Sequence, residues 1–273
     1  MTDRAAGRDA FLTLARRRRV LMGIVNVTPD SFSDGGRFEA PDAAVAQAVR
    51  LVADGADIVD VGAESTRPGY VQITAEEEWR RLDAVLPALI AAVDVPVSID
   101  TMKAATATKA LAAGAVVVND IWGLQGDPGM ADAVAAGGGA VVAMHNRHSH
   151  DASIDIVADM QRFFERTIDI ARRAGIPDAH IILDPGIGFG KTKPQNFEAL
   201  AAVPKLRRFG CPILIGVSRK SLFGHLLGVD TDERLVPTLA ANLATATMGA
   251  TIFRVHDIRE HRMALTVLDA LGV

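Results

Sequence analysis

Residues 95–120 read VPVSIDTMKAATATKALAAGAVVVND. A β-branched run, Val95–Asp100, ends in an acid. An alanine-rich segment of helical period, Lys103–Ala113, stops at Gly114. A second apolar run, Val116–Asp120, again ends in polar residues. Continuous apolar runs flanking a 3.6-residue period predict strand, helix and parallel strand. The same unit recurs on both sides. Further strands are expected at Leu21–Val27, Asp57–Gly62, Ala140–His145, Ile181–Asp184, Ile213–Val217 and Thr251–Val255. Further helices are expected over Asp42–Asp54, Ala75–Val93, Gly129–Ala136, Ile154–Ala174, Gln195–Phe209, Glu233–Met248 and Ile258–Leu271. Gly55, Gly114, Gly175 and Gly210 read as helix stops. About eight βα units in about 250 residues fit a (β/α)8 barrel. A doubly wound sheet has the same local signal but usually fewer strands. No linker divides the chain, so residues 20–273 are expected to form one α/β barrel domain, with residues 1–19 as a lead-in.

Composition narrows the function. Of 273 residues, 49% are hydrophobic and 23% charged, which excludes a disordered or fibrous chain. Lys and Arg number 29 and Asp and Glu 33, a net charge of −4, against general nucleic-acid binding. Aromatics are 5%, too few for base-stacking platforms. One cysteine, Cys211, permits no internal disulfide and no cysteine-based zinc site. No stretch approaches the roughly 20 apolar residues of a membrane span. Asp3, Asp9 and the late Arg16–Arg19 run do not form a secretory signal, and a cytoplasmic protein is expected. The arginine run reads as a solvated lead-in rather than a nucleic-acid patch.

Polar residues collect where strands run into βα loops, the catalytic end of a barrel. Strand one ends in Asn26 and a loop carrying Asp30 and Asp34. Strand two carries Asp60 and leads to Glu64-Ser65-Thr66-Arg67-Pro68-Gly69. Later strands end in Asp100, Asn119-Asp120, Met144-His145, Asp184 before a glycine-rich turn, Ser218-Arg219-Lys220, and Arg254-Val255-His256-Asp257. Helix capping accounts for single Asp or Asn residues but not for the Arg, Lys and His among them. Arg67, Arg219, Lys220, Arg254 and His256 supply cationic donors suited to phosphate or carboxylate. Asp100, Asn119 and Asp184 can accept paired N–H bonds from a nitrogen heterocycle. A heterocycle beside an anionic group is therefore expected.

Two patterns mislead. Gly186–Thr192 resembles a phosphate-binding loop, but Pro185 stands where its first glycine belongs. His145, His148 and His150 beside Asp151 could suggest zinc, yet they read as a solvated loop, Asn146–Ser153. Gly137-Gly138-Gly139 reads as a helix-to-strand turn.

The ordered motifs resemble the dihydropteroate synthase family. Met22–Gly36 (MGIVNVTPDSFSDGG) is similar to its first signature, and Glu64–Gly69 to its second. Ser98–Thr101, Asn119–Ile121, Leu183–Lys191, Ser218–Lys220 and Arg254–Asp257 follow in the family's order. The resemblance spans about residues 20–272. It implies a TIM barrel that joins 7,8-dihydropterin-6-ylmethyl diphosphate to 4-aminobenzoate. It implies pterin contacts from Asp184, Asn119, Asp100, Met144 and Lys220. It implies diphosphate contacts from Arg254, His256 and Asn26, with Mg²⁺ near Asn26 and the Asp30/Asp34 loop. Thr66, Arg67, Pro68, Phe189 and Ser218 would form the aminobenzoate site, where sulfonamides would compete. Asp100, Lys220, Arg254 and His256 are the expected catalytic groups. Gly35, Gly36 and Gly69 suggest mobile loops. A homodimer through the last helices, at Leu239, Leu243 and Met248, is also implied.

Departures are small: Ala63 where glycine is frequent, Asn146-Arg147 in a variable stretch, and Phe253 before Arg254. Two rivals share parts of this pattern. A methyltetrahydrofolate–corrinoid methyltransferase needs neither Thr66-Arg67-Pro68 nor the Arg254/His256 pair. A non-catalytic pterin-binding paralogue would carry damaged first or second loops.

Overall fold

A computed structural model of the chain describes residues 2–27, 39–64 and 72–272. Helix α1 (Thr2–Arg17) precedes β1 (Val20–Asn26) and α2 (Glu39–Ala53). Then come β2 (Ile58–Gly62), α3 (Ala75–Asp83), α4 (Leu86–Ala92), β3 (Val97–Asp100), α5 (Ala104–Ala113) and β4 (Val117–Asp120). The chain continues through α6 (Met130–Gly137), β5 (Ala140–Met144), α7 (Ile156–Ala174), β6 (Ile181–Asp184), α8 (Lys193–Ala201) and α9 (Val203–Leu206). It ends with β7 (Leu214–Ile215), α10 (Ser221–Leu227), α11 (Leu235–Met248), β8 (Ile252–Val255) and α12 (Ile258–Ala270).

The described strands pair in parallel in the order β6-β5-β4-β3-β2-β1-β8-β7. A bridge between Leu183 and Ile213 joins the two ends, so the sheet closes into the expected barrel. Period two sorts each strand. Leu21, Val25, Val59, Val61, Ile99, Val118, Val141, Leu183, Ile215 and Phe253 face the helices. Val20, Met22, Ile58, Val117, Val142, Ile182, Leu214 and Ile252 fill the barrel's lower interior.

That interior has a floor the sequence reading did not supply. The residues taken as a lead-in form α1, whose Phe11, Leu12 and Ala15 are buried against Val20, Met22 and Ile182. The arginine run is not simply solvated either. Arg16 donates to Ala179 O at 3.0 Å, Arg18 pairs with Asp57 at 2.5 Å, and Arg19 pairs with Asp269. These contacts tie the floor helix and its exit to the lower loops.

Two long predicted helices are broken. The span 75–93 divides at Ala84 and Val85 into α3 and α4, and Pro87 opens the second. The span 195–209 divides into α8, α9 with Pro204, and a short 3-10 turn, Arg207–Phe209. Proline lacks the N–H that an uninterrupted helix would need there. Helix α10 went unseen because it is seven residues long and contains Gly224.

Candidate active site

The inward parity that builds the floor carries the polar residues upward. Above Met22, Ile58, Val117, Val142, Ile182, Leu214 and Ile252 stand Asn26, Asp60, Asn119, Met144, Asp184, Ser218, Arg254 and His256; Ser98 and Asp100 hold the same rows on β3. Most strands are apolar at the bottom and polar at the top; β5 ends in Met144, and β3 carries the polar Ser98 below Asp100.

The centre of this mouth is a cross-barrel network. Arg254 Nε donates to Asp60 Oδ2 at 2.6 Å, and its Nη2 donates to Asp100 Oδ2 at 2.7 Å. Asn119 Nδ2 donates to the same Asp60 oxygen at 3.0 Å. One guanidinium cannot compensate two enclosed carboxylates. Burial, opposed by Arg254 and reinforced by Asp60, therefore raises the Asp100 carboxyl to about 7. Burial works against the charge on Arg254, but Asp60 and Asp100 outweigh it and hold the guanidinium protonated.

Asp184 Oδ1 accepts from the Gly186 amide at 2.7 Å. Gly216, just past the neighbouring β7, lies beside Asp184 Oδ2, where a Cβ would stand at 3.5 Å, in ordinary contact. Burial raises the Asp184 carboxyl, against the pull of Lys220. Lys220 in turn is lowered to about 8 by burial, against the pull of Asp184. Its Nζ lies 4.6 Å from the Phe189 ring centroid and donates to Ile187 O. Ser218 Oγ lies 2.9 Å from His256 Nδ1 and accepts from the His256 amide at 3.2 Å. Asn26 closes β1, half-buried.

The structure thus brings together Asp100, Asn119, Met144, Asp184, Phe189, Ser218, Lys220, Arg254 and His256 around one mouth, with Asn26 at its edge. Thr66, Arg67 and Pro68, and the Asp30/Asp34 loop with Gly35, Gly36 and Gly69, lie outside the described residues. Two expectations change. Arg219 does not face the mouth: with φ +55° it turns its guanidinium to Asp257, Nε to Oδ2 at 2.9 Å. His145 is not in a solvated loop: it is fully buried, 3.2 Å from Asp159 Oδ2 and edge-on to Phe163. Burial pushes its imidazole down to about 3, so it is neutral near pH 7.

Three supporting groups escaped the sequence reading. Asp60 was noticed but given no role. Its signal was an acid between Val59 and Val61 on a strand buried on both faces. Lys191 was discounted with the false phosphate loop. Its ammonium donates to Gly186 O at 2.8 Å, Phe189 O at 3.2 Å and His145 O at 3.3 Å. Gly186 adopts φ +68°, and a Cβ there would meet His145 O at 1.9 Å, so only glycine lets these loops interlock. Third, the stem of the second loop is anchored. Glu64 accepts from the Ile73 amide at 3.0 Å and pairs with Lys103, which also lies 3.3 Å from buried Glu78. Glu78 accepts from Thr106 Oγ1 at 2.7 Å and Thr101 Oγ1 at 3.1 Å.

The family described as pterin binding enzyme matches residues 22–256, from within β1 to just past β8. The chain belongs to the pterin-binding enzyme family. Among its members, the dihydropteroate synthase of Clostridium beijerinckii is 44% identical over 255 residues, covering 93% of this chain and 94% of that one. The dihydropteroate synthase of Clostridium difficile, solved in the presence of pteroic acid, superposes with a TM-score of 0.91 at 44% identity, covering 93% of this chain and 97% of the other. That of Xanthomonas albilineans, solved with 4-aminobenzoic acid, gives 0.90 at 44% identity over 94% of each chain. Within the pterin-binding enzymes the chain is a dihydropteroate synthase, a transferase of folate synthesis built on a TIM barrel.

Proposed function

We infer that the chain condenses (7,8-dihydropterin-6-yl)methyl diphosphate with 4-aminobenzoate, giving 7,8-dihydropteroate and diphosphate. The observation that carries this is the convergence of Asp100, Asn119 and Asp184 with Lys220, Arg254 and His256 on one barrel mouth. Pteroic acid and 4-aminobenzoic acid in the two solved relatives support the same substrates.

Asp184 and Asn119 accept from the pterin's amino and ring N–H groups, and Lys220 donates to its acceptor edge. The C–O bond to diphosphate breaks first, and its electron pair leaves on oxygen. Arg254 and His256 offset that leaving charge, and Asn26 helps to hold the diphosphate. The cation left on the pterin methylene is delocalised into the ring, where the Asp100 carboxylate opposes it. The neutral arylamine attacks the methylene and then loses one proton to solvent. Orientation and exclusion of water decide the yield, since water is the competing nucleophile. Thr66, Arg67, Pro68, Phe189 and Ser218 take the aminobenzoate.

Mg²⁺ belongs to this reading as a proposal. Among the described residues no group of three or more His, Cys, Asp or Glu could hold a metal. A single amide oxygen from Asn26 fits an ion held mainly by substrate phosphates and water. Bound there, Mg²⁺ would neutralise diphosphate charge. The single cysteine and the expected cytoplasmic location agree, and no described helix is long and apolar enough to cross a membrane.

A homodimer is also proposed, through the face of α11 that includes Met248 rather than through Leu239 and Leu243. Leu239, Leu243 and Met248 are only half-exposed. Exposed apolar side chains on and next to α12 (Met263, Val267 and Leu271) line no groove, whereas Leu226, Leu227 and Val236 line one of about 480 Å³ between α8, α10 and α11. A contiguous patch of this kind marks an interface.

The test of the reaction is diphosphate release that requires both substrates. Release in stoichiometry with dihydropteroate supports the assignment; methyl transfer to a corrinoid protein, or binding without turnover, would transfer it to one of the rivals. Asp184→Ala is expected to raise the KM for the pterin diphosphate at least about tenfold, the cost of one charged hydrogen bond, with the fold intact.

A further inference from the structure

Asp60 is fully buried on β2, with Val59 and Val61 turned outward into the helix layer. Its Oδ2 receives Arg254 Nε from β8 at 2.6 Å and Asn119 Nδ2 from β4 at 3.0 Å. Its Oδ1 is buried with no hydrogen-bond partner among the described residues. Ser98, its register neighbour on β3, has a buried Oγ in the same condition. Burying an ionised carboxylate costs several kcal/mol, and a well-packed apolar residue often serves stability as well or better. Arg254 pairs with Asp100 as well, so the two carboxylates crowd like charge into the barrel interior.

We propose that Asp60 is a positioning residue of the pterin site, holding Arg254 and Asn119 in place across the barrel so that both meet the pterin diphosphate correctly oriented. The proposal rests on the reading of the site given above. The carboxylate fixes Nε of Arg254 while Asp100 takes Nη2, which sets the plane of the guanidinium. Its bond to Asn119 Nδ2 orients that amide, so its carbonyl is presented to the ligand.

The charge of Asp60 also reaches Asp100. The groups acting on the Asp100 carboxyl are Arg254, which favours its ionised form, and Asp60, Glu78 and Asp120, which oppose it. Removing the charge at position 60 leaves Arg254 to Asp100 alone and eases Asp100 ionisation.

The experiment is Asp60→Asn in the full chain, with urea unfolding, steady-state kinetics for both substrates and the pH profile of kcat/KM. The expected result has three parts. The variant still folds, since asparagine keeps an acceptor for Arg254 Nε, although losing one charge of a buried pair lowers its unfolding stability. KM for the pterin diphosphate rises about tenfold or more while KM for 4-aminobenzoate changes less than about twofold. The acid limb moves to lower pH. Asp60→Glu is expected not to restore the pterin KM, because its longer chain displaces Arg254. A variant that fails to fold, or folds less stably with both KM values and the pH profile retained, assigns Asp60 a structural role and overturns the proposal. Wild-type protein with no two-substrate release of diphosphate would instead overturn the functional reading beneath it.

Discussion

Single side chains in the mouth set the conditions under which the site works. Asp100 opposes the developing cation only when ionised, which requires pH above about 7. Lys220 keeps its charge only below about 8. The free enzyme is therefore expected to show a narrow bell in kcat/KM, rising through about 7 and falling through about 8, measured as initial rates against pH. A profile flat from pH 6 to 9 would contradict both assignments. Lys103→Met removes the cation between Glu64 and Glu78. Breaking a buried pair from one side costs about 3 kcal/mol, so urea unfolding is expected at lower denaturant. The residues with direct chemistry were legible in the sequence because each ends a strand at a βα junction. Asp60, Lys191 and the Glu64–Lys103–Glu78 set were not, because decisive partners lie far along the chain (Lys103 and Glu78 25 residues apart, Lys191 and His145 46, Arg254 and Asp60 194) and meet only after barrel closure.

At the level of elements, every predicted strand exists, most shorter by one to three residues. The apolar runs extend past the last ladder bond, as in Ile213–Val217, where β7 itself is two residues. Helix continuity was misread at Pro87 and Pro204, where period survived but hydrogen bonding could not. Helix α1 was missed because Asp3, Asp9 and six arginines from Arg4 to Arg19 mask a short apolar stripe of Phe11, Leu12 and Ala15. That stripe closes the barrel's lower end, so Phe11→Ala is expected to destabilise the fold by about 3–5 kcal/mol, the usual cost of emptying a buried aromatic site. Equilibrium unfolding measures it, and the kinetic constants of the folded fraction should stay within about twofold, since the mouth is at the opposite end.

For the whole molecule, the net charge of −4 says little about the site. Among the described residues the central cation of the mouth, Arg254, is matched by two acids, Asp60 and Asp100. Self-association is expected to depend on the α10–α11 face. Leu227→Glu with Val236→Glu should shift sedimentation from dimer to monomer, and an unchanged sedimentation coefficient would place the interface elsewhere. Sulfonamides are expected to raise the apparent KM for 4-aminobenzoate without lowering kcat, as seen in initial rates across inhibitor concentrations.

The barrel is not equally sewn all the way round. Between β1 and β2 five residue pairs stand in register, whereas β6 meets the β7 segment through one bridge, Leu183 to Ile213. This makes a seam, and it runs between Asp184 on one side and Ser218 and Lys220 on the other. The amide proton of Leu183, which bonds to Pro212 O across the seam, should exchange with deuterium sooner than those of the β1–β2 ladder. A bound pterin spanning Asp184 and Lys220 would act as a stitch across that seam, and its presence should slow the exchange there most.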